Sequence, residues 1–180
     1  ENGDLTWSYQ LRSYNPDTGE DIALEEGAGL NDDNHAAVGD KRLFIHSGGD
    51  DGIELWVTDG TVEGTKSLGQ TGAYALQYGD HDYLDGYLYF ADYDAKNSLF
   101  RSNGETVEAV VTHPDNHIIR AWSIGVTGSV ITYEVQIRPE DENGDLTWSY
   151  QLRSYNPDTG EDIALEEGAG LNDDNHAAVG

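Results

Sequence analysis

No cysteine occurs in these 180 residues, which excludes a disulfide framework, thiolate catalysis and any Cys-ligated metal. Methionine is also missing, so no initiator is present and the chain reads as a mature or excised segment. Basic side chains are scarce, 9 Lys and Arg against 35 Asp and Glu, for a formal net charge of -26. Such an imbalance repels polyanions, so no nucleic acid and no anionic membrane surface is expected as a partner. No apolar run approaches the roughly 20 residues that span a bilayer, which argues against direct membrane insertion. No signal peptide is visible. Helical periodicity is lacking too: "EDIALEEGAG" comes nearest, and Gly168 and Gly170 interrupt it.

What is present is glycine (22), tyrosine (11) and tryptophan (4), with frequent Asn and Asp. That mixture favours short strands joined by tight turns, and the chain is read as all-β. The strongest feature is a duplication. Glu1–Gly39 returns letter for letter as Glu142–Gly180, 141 positions later. Two separately selected domains drift apart, so perfect identity implies a continuous tandem array over residues 1–180, of which this chain samples one period and part of the next. Residues 1–39 are then the end of a unit. An array of such acidic units needs its charge screened by salt or bound cations, which suits an extracellular or cell-surface setting.

Inside the period a smaller pattern recurs: four short strands per subrepeat, assigned to residues 40–86, 87–128 and 129–180. The first strands are "RLFIHSGG" (Arg42–Gly49), "YLYFADYD" (Tyr87–Asp94) and "SVITYEVQ" (Ser129–Gln136). The second, with their turns, are "ELWVTDGT", "SLFRSNGE" and "QLRSYNPDTGE", and the third are "TKSLGQ", "VEAVVTH" and "DIALEEG". A fourth element precedes each, as in "NHAAVGD", "YALQYGD" and "IIRAWSIGVTG". An average spacing of 47 residues with four strands fits antiparallel blade-like repeats, either β-propeller-like or stacked as an open array. Asp59-Gly60 and Asn103-Gly104 predict type I′ hairpin turns between second and third strands, and "NPDTG" predicts a longer loop. Consecutive large apolar residues, such as Leu43-Phe44-Ile45 and Leu88-Tyr89-Phe90, predict strands covered on both faces.

The stretch "RLFIHSGGDDGIELWVTDGTVEGTKSLG" (Arg42–Gly69) resembles the ELWxxDGT tandem repeats of large bacterial surface and secreted proteins. Glu54, Leu55, Trp56, Asp59, Gly60 and Thr61 match the motif, and Gly64-Thr65 matches the "GT" that commonly follows. The resemblance implies propeller-like blades and no enzyme activity. It fades in "SLFRSNGE" and "QLRSYNPDTGE".

No nucleophile motif is present, and with 35 acids, paired carboxylates are uninformative, so no enzyme is expected. No motif requires a cofactor. Calcium is the one ion the acidic loops suggest, through Asp141, Asn143 and Asp145 at alternate positions, although Leu152 stands where the closing Glu of such a loop belongs. "GGDDGIE" and "DYDAKN" are weaker candidates. "DNH", at Asp33–His35, Asp115–His117 and Asp174–His176, reads as a turn leading into a strand. The expected inter-repeat packing residues are Leu43, Phe44, Leu55, Trp56, Leu88, Phe90, Leu99, Phe100, Trp122 and Trp148. The first functional reading is a structural segment of a long extracellular fibre, stalk or adhesin shaft whose partners are further copies of the same repeat. The alternative is a secreted propeller that binds a glycan, a peptide or a cell-surface component through loops and aromatics, with calcium as an aid.

Overall fold

A computed structural model describes residues 10–26, 35–49, 52–70, 76, 80–92, 96–138 and 148–167. These form fifteen β-strands and a single 3-10 turn, Ala121–Ser123. The strands fall into four antiparallel sheets in chain order. A hairpin joins β1 (Gln10–Asn15) to β2 (Glu20–Glu26). The second sheet runs β3 (His35–Val38), β4 (Lys41–Gly49), β5 (Gly52–Thr58), β6 (Lys66–Gly69). The third runs β7 (His81–Leu84), β8 (Tyr87–Ala91), β9 (Ser98–Ser102), β10 (Val107–Thr112). In the fourth, β13 (Val130–Ile137) pairs β14 (Ser149–Asn156), which pairs β15 (Glu161–Glu167). The other side of β13 is shared by β11 (His117–Ile119) and β12 (Gly125–Thr127), with the 3-10 turn bulging between them. Every sheet is open.

The sheets stack face to face, and side-chain alternation along each strand explains how. On β4, Leu43 and Ile45 point one way and Phe44 the other; on β5, Leu55 and Val57 oppose Trp56. Leu43, Ile45, Leu55 and Val57 meet Leu88, Phe90 and Phe100 of the third sheet, and Leu76 joins them. Tyr89, Ala91 and Leu99, on the reverse of the third sheet, meet Ile131, Tyr133, Val135 and Tyr155 of the fourth. Phe44 and Trp56 are covered by Leu11, Ile22 and Leu24 of the first hairpin. A strand with covered neighbours on both sides has no solvent face, which is why its apolar residues run consecutively. Each fully buried Leu, Ile or Phe contributes about 1.5–3 kcal/mol.

The turns correct two expectations. Gly60 and Gly104 have positive φ, but neither Asp59 nor Asn103 does, so neither dipeptide makes a type I′ turn. Asn103 instead accepts the backbone N–H groups of Glu105 and Thr106 on Oδ1, closing a four-residue loop between Ser102 and Val107. Asp85-Gly86 is the pair with positive φ at both residues (49° and 87°), in the two-residue connection from Leu84 to Tyr87. Among the described residues Asp85 is the one non-glycine in that region. Further, the strand before β8 is His81–Leu84, downstream of the "YALQYGD" stretch, and "IIRAWSIGVTG" is split into β11 and β12 by the 3-10 turn.

Candidate functional site: the faces between sheets

Strand β5 ends in a loop closed by side chains. Thr61 donates both its N–H and its hydroxyl to Asp59 Oδ1, at 2.9 and 2.7 Å. Gly64 N–H donates to Thr61 Oγ1, and Thr65 Oγ1 donates to the Thr61 carbonyl. The Thr58 and Thr65 hydroxyls meet at 2.8 Å, and Gly60 N–H donates to Thr58 Oγ1. The Thr61 hydroxyl and amide hold the Asp59 carboxyl below its ordinary range. A β-carbon on Gly64 would overlap that carboxylate, so any side chain there must displace Asp59 from its place in the fold-back. "DGTVEGT" is therefore a self-satisfied turn, in which polar side chains replace the backbone partners that a seven-residue connection leaves unmade.

Outward from that loop, Trp56 presents its ring to the first hairpin. It stacks on His46 with centroids 4.8 Å apart and an interplanar angle of 22°, and donates its indole N–H to Glu54 Oε2. Ser67 also donates to Glu54 Oε2, and His46 Nε2 lies 3.8 Å from Glu25 of the hairpin. Phe44 tilts against Trp56 at 6.3 Å. An apolar centre with a polar rim results, which is how protein interfaces are built.

The interface between the second and third sheets is mainly apolar, with Phe90 and Phe100 stacked at 6.0 Å. Its rim carries a clasp: Glu105, from the Asn103 loop, bridges Lys41 and Lys66 of the second sheet. The two ammonium groups, Lys41 first, lower the Glu105 pKa, and Glu105 raises that of Lys41.

A polar seam lies where the third sheet meets the fourth. Tyr133 OH donates to Asp162 Oδ1 at 2.8 Å, and Arg153 grips the same carboxylate through Nε and Nη2 at 3.0 and 2.7 Å to Oδ2. With its proton committed to Asp162, the Tyr133 oxygen accepts from His113 Nε2 at 3.2 Å. His113 stacks on His117, and His117 Nδ1 meets Asn116 Oδ1 at 2.9 Å. Burial lowers the pKa of both histidines; for His113, Asp162 opposes the shift without cancelling it. Burial and then the neighbouring Asp162 charge push the Tyr133 phenol far up. The seam gathers two imidazoles, a phenol, one carboxylate and one guanidinium, a set whose hydrogen bonds and ion pair tie β13, β14 and β15 to the end of β10.

Of the side chains singled out in the sequence, Leu43, Phe44, Leu55, Leu88, Phe90, Leu99 and Phe100 are buried between sheets. Trp56 and Trp148 are half-buried, the latter with the Arg138 guanidinium 5.9 Å from its ring. Trp122, expected in packing, is 41% exposed. The 3-10 turn swings it out, and Arg120 stacks over it at 4.4 Å, beside a cleft that Asp92, Lys96, Ile118 and Gln136 also line. Asp141, Asn143 and Asp145 lie outside the described residues, as do Asp33 and Asp174 of the "DNH" motifs. Among the described residues no group of three His, Asp or Glu is spaced to hold a metal ion. At Asp115–His117 the turn is closed by the backbone, His117 N–H donating to the Pro114 carbonyl. Sequence reading passed over Leu11, Ile22 and Leu24, and over His113, Tyr133, Arg153 and Asp162. The alternation in "QLRSYN" and "DIALEE" was the available signal for the first group; the second is assembled from four strands or strand ends and leaves none.

No protein-family model matches the chain, and no curated protein or solved structure matches it.

Proposed function

We propose that the chain is a structural segment of a long extracellular tandem-repeat protein, a fibre, stalk or adhesin shaft built by stacking open antiparallel sheets. One observation carries the reading: the third sheet is buried on both faces, by Leu88, Phe90 and Phe100 on one side and Tyr89, Ala91 and Leu99 on the other. A sheet that needs neighbours on both sides is a unit of a stack, and stability in a stack is a sum of unit and interface terms. The 39-residue identity supports continuation of the same interfaces along the array. The motif "ELWVTDGT" supports kinship with ELWxxDGT repeat proteins, and the surplus of acid supports a saline exterior. The reading assigns no reaction to the chain. Electron microscopy of the native material is the test: filaments with a regular repeat are expected, and closed rings or isolated beads would overturn the proposal.

A second reading, a glycan- or peptide-binding module, draws on the exposed Trp122 at the mouth of a cleft with Asp92, Lys96 and Gln136. Exposed aromatics beside hydrogen-bonding groups suit sugar rings. Calorimetric titration with a panel of oligosaccharides tests it, and loss of the heat signal in Trp122→Ala is the expected outcome.

A further inference from the structure

Three Asx-Gly pairs have both residues described, and the fold holds them unequally. Asn103 Oδ1 accepts the N–H groups of Glu105 and Thr106, and the Gly104 N–H donates to Ser102 Oγ at 3.1 Å. Gly104 is buried, and a β-carbon there would meet Lys41 and Val57 of the second sheet. Asp59 Oδ1 accepts from the amide and hydroxyl of Thr61, and the Gly60 N–H donates to Thr58 Oγ1. Asp85-Gly86, at the tip of the β7–β8 hairpin, has no such ties: among the described residues no hydrogen bond is made to the Asp85 carboxylate or by the Gly86 N–H. Both residues are exposed, and a β-carbon on Gly86 would meet nothing within 4 Å. Asp85 sits at φ 49°, a left-handed conformation that strains a residue with a β-carbon.

We propose that Asp85-Gly86 is a site of spontaneous covalent modification, where the backbone isomerises to isoaspartate, while Asn103-Gly104 and Asp59-Gly60 are held unreactive by their hydrogen bonds. In the first step the Gly86 nitrogen attacks Cγ of the protonated Asp85 carboxyl. An N–Cγ bond forms, the Cγ–OH bond breaks, and the hydroxyl leaves as water with the amide proton, closing a five-membered succinimide. Water then reopens the ring. Attack at Cγ restores aspartate; attack at the Asp85 backbone carbonyl carbon leaves the chain running through the side-chain carboxyl, with no net change of mass. Glycine on the nitrogen side offers no side chain to hinder the attack. Ring closure requires the Asp85–Gly86 backbone to rotate, which takes Asp85 out of its strained region and opens only the tip of a hairpin, the kind of segment that frays most readily. At the other two pairs the same rotation breaks three hydrogen bonds each. The added methylene no longer matches a two-residue turn, and β7, the edge strand of the third sheet, loses its register. That strand is tied to the fourth sheet, Asp82 Oδ2 accepting the Val126 N–H at 2.7 Å and the Asp80 N–H donating to the Ala121 carbonyl at 2.6 Å. Ageing at Asp85 therefore loosens the contact between the third and fourth sheets. The inference does not depend on the array reading.

Asp85→Asn tests the site, because it places the same dipeptide, Asn-Gly, at both hairpin tips and lets one reaction, loss of ammonia through the succinimide, compare them within one chain. Asn tolerates the left-handed region better than other side chains, so the turn is kept. Peptide mass mapping of the folded variant, aged at neutral pH, is expected to show position 85 reacting about a hundredfold faster than Asn103, the protection that three hydrogen bonds supply. In urea the two rates should converge, since the dipeptide is the same. The wild type, aged at mildly acidic pH where carboxyls are partly protonated, is expected to accumulate isoaspartate at Asp85 and not at Asp59, read by electron-transfer fragmentation. The proposal is overturned if Asn103 reacts as fast as position 85 in the folded variant, if aged wild type carries no isoaspartate at Asp85, or if Asp59 isomerises as fast as Asp85.

Discussion

Tyr14 and Tyr155 hold the same place in the same 39-residue text, yet Tyr14 is 65% exposed and Tyr155 5%. Tyr155 tilts against Tyr89 at 6.4 Å in the interface between the third and fourth sheets, while Tyr14 belongs to no buried cluster among the described residues. Identical local sequence thus gives identical hairpins, and packing assigns their residues different energies. Tyr155→Ala is expected to cost about 3 kcal/mol in urea unfolding, and Tyr14→Ala no more than about 0.5. Equal costs would contradict the assigned packing.

The same logic applies to charge. Arg12 and Asp21 pair with roughly half of each side chain exposed, whereas Arg153 and Asp162 pair nearly buried and share Tyr133. Asp21→Asn should leave stability within about 0.5 kcal/mol of wild type. Asp162→Asn leaves Arg153 without its counter-charge and should cost about 2 kcal/mol. A thermal melt of each variant in low and high salt separates the two sites, since only the exposed pair is screened.

His113 supplies a pH dependence. Burial lowers its folded-state pKa below the usual 6.5, so the folded chain binds this proton less readily than the unfolded chain does. Its contribution to stability is complete above pH of about 6.5 and is lost as pH falls through the lowered value. Chemical denaturation across that window should show a slope that His113→Gln flattens. An NMR titration placing the His113 ring above 6.5 would contradict the sign.

At still lower pH, Glu105 tests the clasp between the second and third sheets. Its pKa is lowered by Lys41 and Lys66, so the clasp is complete above the ordinary carboxylate range and is released as pH falls through the lowered value. Glu105→Gln should remove the corresponding part of the acid limb and leave stability at neutral pH little changed, because the pair is exposed. Acid unfolding curves of the two proteins check this.

Gly64→Ala should destabilise the loop, because the new methyl group displaces the Asp59 carboxylate from Thr61. Asp59→Ala in the same background should then add little, as the contact it removes is already lost. A double-mutant cycle by urea unfolding measures the coupling.

Much of this architecture is legible in the sequence, and the failures have physical causes. Leu43-Phe44-Ile45 and Leu88-Tyr89-Phe90 announce two covered faces, because a strand with one wet face cannot carry three large apolar residues in a row. Asp59-Gly60 and Asn103-Gly104 mislead because Asp and Asn side chains accept loop amides in place of adopting positive φ, an alternative that dipeptide statistics do not separate. Trp122 misleads because a 3-10 turn reverses the face on which it emerges, and Arg120 supplies a partner in solvent. The contrasts between Tyr14 and Tyr155, or Leu24 and Leu165, are illegible in principle: identical text cannot encode unequal surroundings, which come from sheets distant in the chain.

The seating of Leu11, Ile22 and Leu24 on Phe44 and Trp56 has a genetic corollary. In the proposed array, where the hairpin text recurs at a 141-residue interval, removing or inserting one whole period by unequal recombination would rejoin the chain in frame, with the same three side chains against the same two rings. Every junction would then already be a native one. Length would be the property most free to vary among alleles of such an array, while substitutions within the period would be constrained at each buried position.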